Sequence, residues 1–102
     1  MSNKSMSVIG RVVKAYRNLY NLPISQFCEK YDLSLSTISK LENGRINISV
    51  LGLYRKIAEI MDIPFSDFMA MHEFFETIDD SIIDLMIYNK LSEYYLKKMS
   101  KN

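Results

Sequence analysis

The sequence lacks the features typical of secreted and membrane proteins. Its 102 residues include a single cysteine, Cys28, so no intrachain disulfide can form, which suits a reducing cytosol. No apolar run approaches the roughly 20 residues that a membrane-spanning helix needs. The first seven residues, MSNKSMS, lack the apolar core of a signal peptide. These absences predict a cytoplasmic protein with no membrane partner.

Recognisable arrangements of catalytic and metal-binding residues are also missing. The lone histidine, His72, has no cysteine or carboxylate arrangement at metal-ligand spacing around it. The chain contains no Ser/His/Asp set, no Gly-rich phosphate loop and no H-E-x-x-H motif. We therefore expect no catalytic residue, no metal and no cofactor. Cys28 is interpreted as a small core residue.

The charge of the chain is nearly balanced overall but unevenly distributed. Net charge is +1. Residues 1–60 contain nine basic and four acidic side chains, whereas residues 61–102 contain four basic and eight acidic ones. A basic front half favours contact with a polyanion such as nucleic acid. A random distribution of surface charge is the alternative.

The apolar pattern predicts an all-α domain of five short helices over the first 70 residues. The predicted helices cover about 8–20, 23–31 and 35–42, followed by one that Ser49 caps and one that Pro64 opens. Pro23 disfavours helix at the preceding residue and can itself open the second helix. Asn43-Gly44 ends the third helix, because glycine readily adopts a left-handed backbone. The pattern contains no strand.

The second and third predicted helices, joined by a short turn, form a helix-turn-helix arrangement. Residues 8–70 resemble the lambda-repressor/Cro-like helix-turn-helix domains, often called the XRE type. The segments that carry the resemblance are Leu22, Phe27-Cys28-Glu29-Lys30-Tyr31, Ile38-Ser39-Lys40-Leu41-Glu42-Asn43-Gly44, Leu53, Ile57-Ala58 and Ile63-Pro64-Phe65. The predicted organisation is a five-helix lambda-repressor-like DNA-binding domain over 1–70 and a C-terminal helical extension over 71–102.

Two positions depart from the pattern of that family. Asp32 stands at the turn where the family usually has glycine. Aspartate tolerates a left-handed backbone better than most residues, so we expect the same turn. Ile24 stands where many members have a glutamine that contacts a phosphate. Ser25, Gln26 or the backbone amides at that helix N-terminus are the expected substitutes.

The resemblance implies that the third helix enters the major groove of double-stranded DNA. Because Ile38 and Leu41 face the core, the outward residues predicted to read bases are Leu35, Ser36, Ser39 and Lys40. A leucine can contact a thymine methyl, and a lysine can reach guanine O6 and N7. Phosphate contacts are predicted for Gln26, Thr37, Asn43 and Arg45. The alternative is an ordinary solvated face on which Asn43 only caps the helix.

A structural ion pair is also implied by the resemblance. In this family an arginine of the first helix and a glutamate before Asn-Gly form a buried pair. Arg17 and Glu42 stand at the matching positions. We interpret the pair as a scaffold for the DNA-reading helix, with two exposed charges as the alternative.

The tail is predicted to form one further helix over about 77–99, which Thr77 and Asp80 would begin as a capping box. Its apolar residues fall into two stripes on nearly opposite sides. The first stripe contains Ile78, Ile82, Leu85, Leu96 and Met99, and the second contains Ile83, Ile87, Leu91 and Tyr94. One stripe is expected to pack on the helix containing Phe65 and Phe68, and the other on a second copy. The pattern leaves open which is which, and a helix that merely completes the monomer core is the alternative.

The sequence thus predicts a dimeric, sequence-specific DNA-binding regulator, a repressor that reads a two-fold-related operator. One alternative keeps the DNA binding but makes the protein an antitoxin that autoregulates its operon and binds a toxin through its C-terminal segment. Another is a protein-interaction module that no longer binds DNA. The outward face of the third helix and the basic front half favour the first prediction.

Overall fold

The computed structural model describes residues 8–45 and 51–100, and these residues form α-helices and no strand. The helices are α1 (Val8–Leu19), α2 (Ile24–Lys30), α3 (Leu35–Glu42), α4 (Leu51–Ile60), α5 (Phe65–Glu76) and α6 (Ile83–Ser100). The predicted all-α fold is confirmed. The expected cap at Ser49 lies outside the described residues. Within the described ranges, no helix has the length and apolar character needed to cross a membrane.

The first four helices end in the same kind of turn. In each, one residue adopts a left-handed backbone: Asn21 (φ 53°), Asp32 (φ 54°), Gly44 (φ 72°) and Asp62 (φ 57°). The residue that follows donates its N–H to the carbonyl five positions earlier, as Leu33 does to Cys28 at 2.8 Å. These bonds satisfy carbonyls that the helix end would leave without a partner. Asp32 therefore makes the turn for which the family usually employs glycine.

All six helices contribute to one hydrophobic core built around α1. The residues that are almost completely buried include Ile9 and Val13 of α1, Phe27 of α2, Ile38 and Leu41 of α3, Ile57 of α4, Phe68 and Phe75 of α5, and Ile83, Ile87 and Leu91 of α6. Helix α1 packs chiefly against α6 on one side and α3 on the other. The last helix therefore shares its core with the helix-turn-helix elements.

The tail differs from the sequence prediction in where its helices begin and end. Helix α5 continues to Glu76, and Thr77 ends it: the Thr77 N–H and hydroxyl both donate to the Phe74 carbonyl, at 3.0 and 2.6 Å. The next helix begins only at Ile83. The prediction of one helix from Thr77 was wrong, because short polar side chains in the Asp79–Ser81 stretch bond locally and compete with helix. The Ser81 hydroxyl, for example, donates to the Asp79 carboxylate at 2.9 Å.

The two apolar stripes of the tail have different surroundings. Ile83, Ile87 and Leu91 are completely buried in the core of the chain. Tyr94 and Ile78 are partly buried and pack against that core. The side chains that remain exposed are Ile82, Leu85, Leu96 and Met99. A dimer contact through Ile83, Ile87 or Leu91 is therefore excluded, because the core of one chain already covers all three.

Polar contacts also hold α6 on the body of the domain. The buried guanidinium of Arg11 in α1 donates to the Asp84 carboxylate at 2.8 Å and lies 3.5 Å from that of Asp80. At the other end of α6, the Tyr95 hydroxyl donates to the Met61 carbonyl at 2.6 Å. α6 is thus fixed near both of its ends, and its orientation on α1 is well defined.

Candidate nucleic-acid interface

The candidate interface is built from α2, α3 and the turn between them. Phe27, Ile38 and Leu41 are buried, and α3 packs against both α1 and α2. Ser34 precedes α3, and its hydroxyl accepts a hydrogen bond from the Thr37 N–H at 3.2 Å. This side-chain cap satisfies one of the free amides at the helix start. The first turn of α3, which carries two of the four predicted base-reading residues, is thereby held in place.

The outer surface of α3 carries the residues predicted to read bases. Leu35 is 47% exposed, Ser36 and Lys40 are exposed, and Ser39 is half-buried. Ile38 and Leu41 point the opposite way, into the core. The structure therefore gathers the four predicted residues on one accessible helix face, which combines a methyl-bearing, two hydroxyl and one cationic side chain. This combination matches the acceptors, donors and thymine methyls of the major groove.

The residues predicted to contact phosphates lie around the ends of α2 and α3. Gln26 is exposed in the first turn of α2, Thr37 is half-buried, and Arg45 is exposed just after the left-handed Gly44. The side-chain amide of Asn43 donates to the Ser39 carbonyl at 2.8 Å. Asn43 thus caps α3, the role that the sequence left open for it, and its exposed side chain still borders the face of α3.

The structure contains the Arg17–Glu42 pair. Two guanidinium nitrogens of Arg17 donate to the two carboxylate oxygens of Glu42, at 2.7 and 2.6 Å. A third donates to the Leu22 carbonyl at 2.8 Å, at the turn before α2. The hydrogen bond to Glu42 raises the pKa of Arg17, since it favours the charged guanidinium. Because Arg17 neutralises Glu42 at the end of α3, this carboxylate does not repel an approaching polyanion.

Two described residues away from this surface, Cys28 and His72, have pKa values that burial shifts. Burial raises the pKa of the Cys28 thiol, which keeps it protonated and poorly nucleophilic. Burial also lowers the pKa of His72, whose ring packs 5.0 Å from that of Tyr54. Among the residues that the structure describes, no group of three or more His, Cys, Asp or Glu side chains could hold a metal ion.

The buried Arg11 and its acidic partners were not predicted from the sequence. Arg11 and Asp84 are 73 positions apart in the chain, so no local pattern links them. The available signal was the spacing of Asp80 and Asp84, which places two carboxylates one helical turn apart. Asp80 lies outside α6, however, so the two carboxylates are not related by a turn of that helix.

Comparisons with known proteins identify a family and a relative of this chain. A family model described as Helix-turn-helix matches residues 13–68. The chain is 29% identical over 65 residues to the Bacillus subtilis (strain 168) protein named "Uncharacterized HTH-type transcriptional regulator RghRB". That similarity covers 64% of this chain and 47% of the relative, so the chain spans about half the length of that protein. No solved structure matches. The match to the family model covers more than half of the chain and includes α2, its turn and α3: the chain belongs to the XRE-type helix-turn-helix family.

Proposed function

We propose that this protein is a sequence-specific DNA-binding transcriptional regulator. The observation that carries the proposal is the outer face of α3, where Leu35, Ser36 and Lys40 are exposed on a helix whose position is fixed by capping, core packing and a buried ion pair. A rigid helix with exposed hydrogen-bonding and apolar groups suits insertion into a major groove. The name of the Bacillus relative supports the same class of function.

We propose that the protein acts as a repressor and binds DNA as a dimer. One domain with one reading helix covers a half-site, and half-sites of two-fold operators lie about 34 Å apart along the duplex. Two copies are needed to occupy both. A dimer seated on such an operator blocks access to a promoter that overlaps it, so repression requires no further surface of the protein.

Selection of bound sequences from a random pool of double-stranded DNA tests this function. The full chain is expected to enrich a motif with two related halves, and Lys40→Ala should enrich a different or degenerate one. Glu59→Ala changes an exposed residue of α4 and serves as the control that should retain the original motif. Failure of the unaltered protein to enrich any sequence would contradict the proposal.

The second candidate function is an antitoxin that binds a toxin through its C-terminal part. The observation that favours it is an open groove of about 370 Å³ between α5 and α6, where Phe74 and Tyr94 lie beside Asp67 and Lys90. Phe74→Ser should then abolish co-purification with the product of a co-transcribed gene and leave DNA binding unchanged. Retention of that product by Phe74→Ser would argue against the groove as its binding site.

A further inference from the structure

Part of the side of α6 that faces away from the core is apolar. Leu85 is 63% exposed, Leu96 is 66% exposed and Met99 is 71% exposed, while Tyr88 on the same side is 41% exposed. At 100° per residue these side chains and Ser92 fall within one narrow sector of the helix. We call these five residues the α6 stripe. None of them is charged, and depletion of charge is typical of the centre of a protein–protein contact.

The spacing within the α6 stripe is symmetric. Tyr88 and Leu96 lie four positions before and after Ser92, and Leu85 and Met99 lie seven positions before and after it. The pattern therefore reads the same in both directions, with a small residue at its centre. A two-fold interface requires such self-complementarity, because each residue i of one copy contacts j of the other while j contacts i.

The size of the stripe also fits a second copy. Leu85 and Met99 lie 14 positions apart, which corresponds to about 21 Å along the helix. The four large side chains of the stripe, each with surface on the order of 200 Å² and between 41% and 71% exposed, offer on the order of 500 Å² per chain. The two copies together would bury about 1,000 Å², which is near the lower limit for a specific interface. The contact is therefore large enough for a dimer that dissociates on dilution.

We propose that α6 pairs antiparallel with α6 of a second copy, with the two-fold axis passing beside Ser92. In this arrangement Leu85 of one protomer meets Met99 of its partner, Tyr88 meets Leu96, and Ser92 meets its own counterpart. This pairing rests on the proposed function, because it identifies the surface that joins the two copies of the proposed DNA-binding dimer. Since α6 is fixed to α1 through Leu91 and Arg11, the pairing also sets the distance between the two α3 helices.

Disulfide cross-linking of full-length variants tests the direction of the pairing. Ser92→Cys should form a covalent dimer on mild oxidation, because the two α6 helices cross there. Leu85→Cys alone should not, because its copy lies about 21 Å away and a disulfide needs Cα atoms closer than about 7 Å. Leu85→Cys combined with Met99→Cys should cross-link again. The unaltered protein is the control, since its one cysteine, Cys28, is buried.

Sedimentation supplies an independent measurement of the same surface. Leu96→Glu should weaken self-association at least tenfold, whereas Phe74→Glu, which changes an exposed apolar residue outside the α6 stripe, should not. A parallel arrangement, shown by cross-linking of Leu85→Cys alone, would overturn the proposal. A Ser92→Cys protein that yields no covalent dimer would overturn it as well, as would unchanged association of Leu96→Glu.

Binding to DNA separates failure of this inference from failure of the proposed function. Leu96→Glu should bind a single half-site as well as the unaltered protein does and lose only the advantage of a duplex with two half-sites. If the unaltered protein binds no DNA, the proposed function fails, and cross-linking at Ser92 still reports on the contact. If Leu96→Glu keeps the full advantage of two half-sites, the α6 pairing is wrong and the DNA-binding function stands.

Discussion

Arg17 in α1 holds Glu42 at the end of α3 through two parallel hydrogen bonds, and its remaining nitrogen binds the Leu22 carbonyl before α2. One side chain thereby connects α1, the end of α3 and the turn that precedes α2. The carboxylate of Glu42 is almost completely buried, at 5% exposure, and Arg17 is 12% exposed. Such a pair contributes little net stability compared with an apolar contact, but loss of one partner leaves an uncompensated buried charge.

Glu42→Ala should therefore lower the free energy of unfolding by about 3–5 kcal/mol, since the guanidinium of Arg17 loses its carboxylate. Combining it with Arg17→Met should recover part of that loss, because neither charge then remains. Urea unfolding of the two single variants and the double variant measures the coupling. Glu59→Ala, at an exposed position, is the control and should change stability by no more than about 0.5 kcal/mol. Small, additive effects would show that the pair does not hold the helices together.

Lys40→Ala and Ser36→Ala should each alter the preferred base at one operator position, with a cost of roughly 1–3 kcal/mol at that position. Both side chains are exposed on the outer face of α3 and are predicted to reach base edges. Binding measured against a panel of single-base operator variants gives the preference directly. A variant that binds every operator variant more weakly by the same factor, with the same preferred bases, would contradict a base-reading role.

Arg45→Ala should instead weaken binding to every sequence alike. Arg45 is exposed beyond the end of α3, where a phosphate contact is predicted. The slope of log affinity against log salt should decrease by about 1, because one phosphate contact is lost. Titration at several salt concentrations measures that slope. A change in base preference caused by Arg45→Ala would place the residue in the groove rather than on the backbone.

Leu91→Ala and Leu96→Ala form a matched pair within α6. Leu91 is completely buried, so its truncation should cost about 2–5 kcal/mol of stability. Leu96 faces away from the core, so its truncation should cost no more than about 0.5 kcal/mol when unfolding is measured at low protein concentration. Equal costs at both positions would mean that α6 packs differently on α1.

Because Leu91 completes the core, removal of the whole tail should unfold the domain rather than yield a folded monomer.

Stability should fall as the pH decreases below neutrality. Burial lowers the pKa of His72 below its ordinary value of 6.5, and the weaker opposing effects of Glu76 and Glu73 do not reverse this. Below about pH 6.5 the unfolded chain therefore binds a proton that the folded chain does not, and the free energy of unfolding decreases until the pH reaches the lowered pKa. His72→Phe should lose less stability than the unaltered protein between about pH 7.5 and pH 5.5. Equal losses in urea unfolding would exclude His72 as the cause.

Local signals in the sequence determined most of the structure from α1 to α3. Pro23 and Asn43-Gly44 marked helix ends, and Ile38 and Leu41 oriented α3, so its outer face followed from helical spacing alone. The family resemblance supplied the partnership of Arg17 and Glu42, which are 25 positions apart. The helix ends were predictable because short helices with strong end signals take the same form in many tertiary contexts.

The tail shows what only the tertiary structure decided. Two apolar stripes were evident in the sequence, but their periodicity is the same whether a stripe packs on its own chain or on another. Helix α6 begins at Ile83, and the contact between Arg11 and Asp84 fixes its orientation on α1. In this orientation Leu85 and Leu96 stay exposed, and the buried residues are Ile83, Ile87 and Leu91. Helical spacing fixes which residues share a face, whereas the face that becomes buried depends on long-range packing between α1 and α6, which no local pattern encodes.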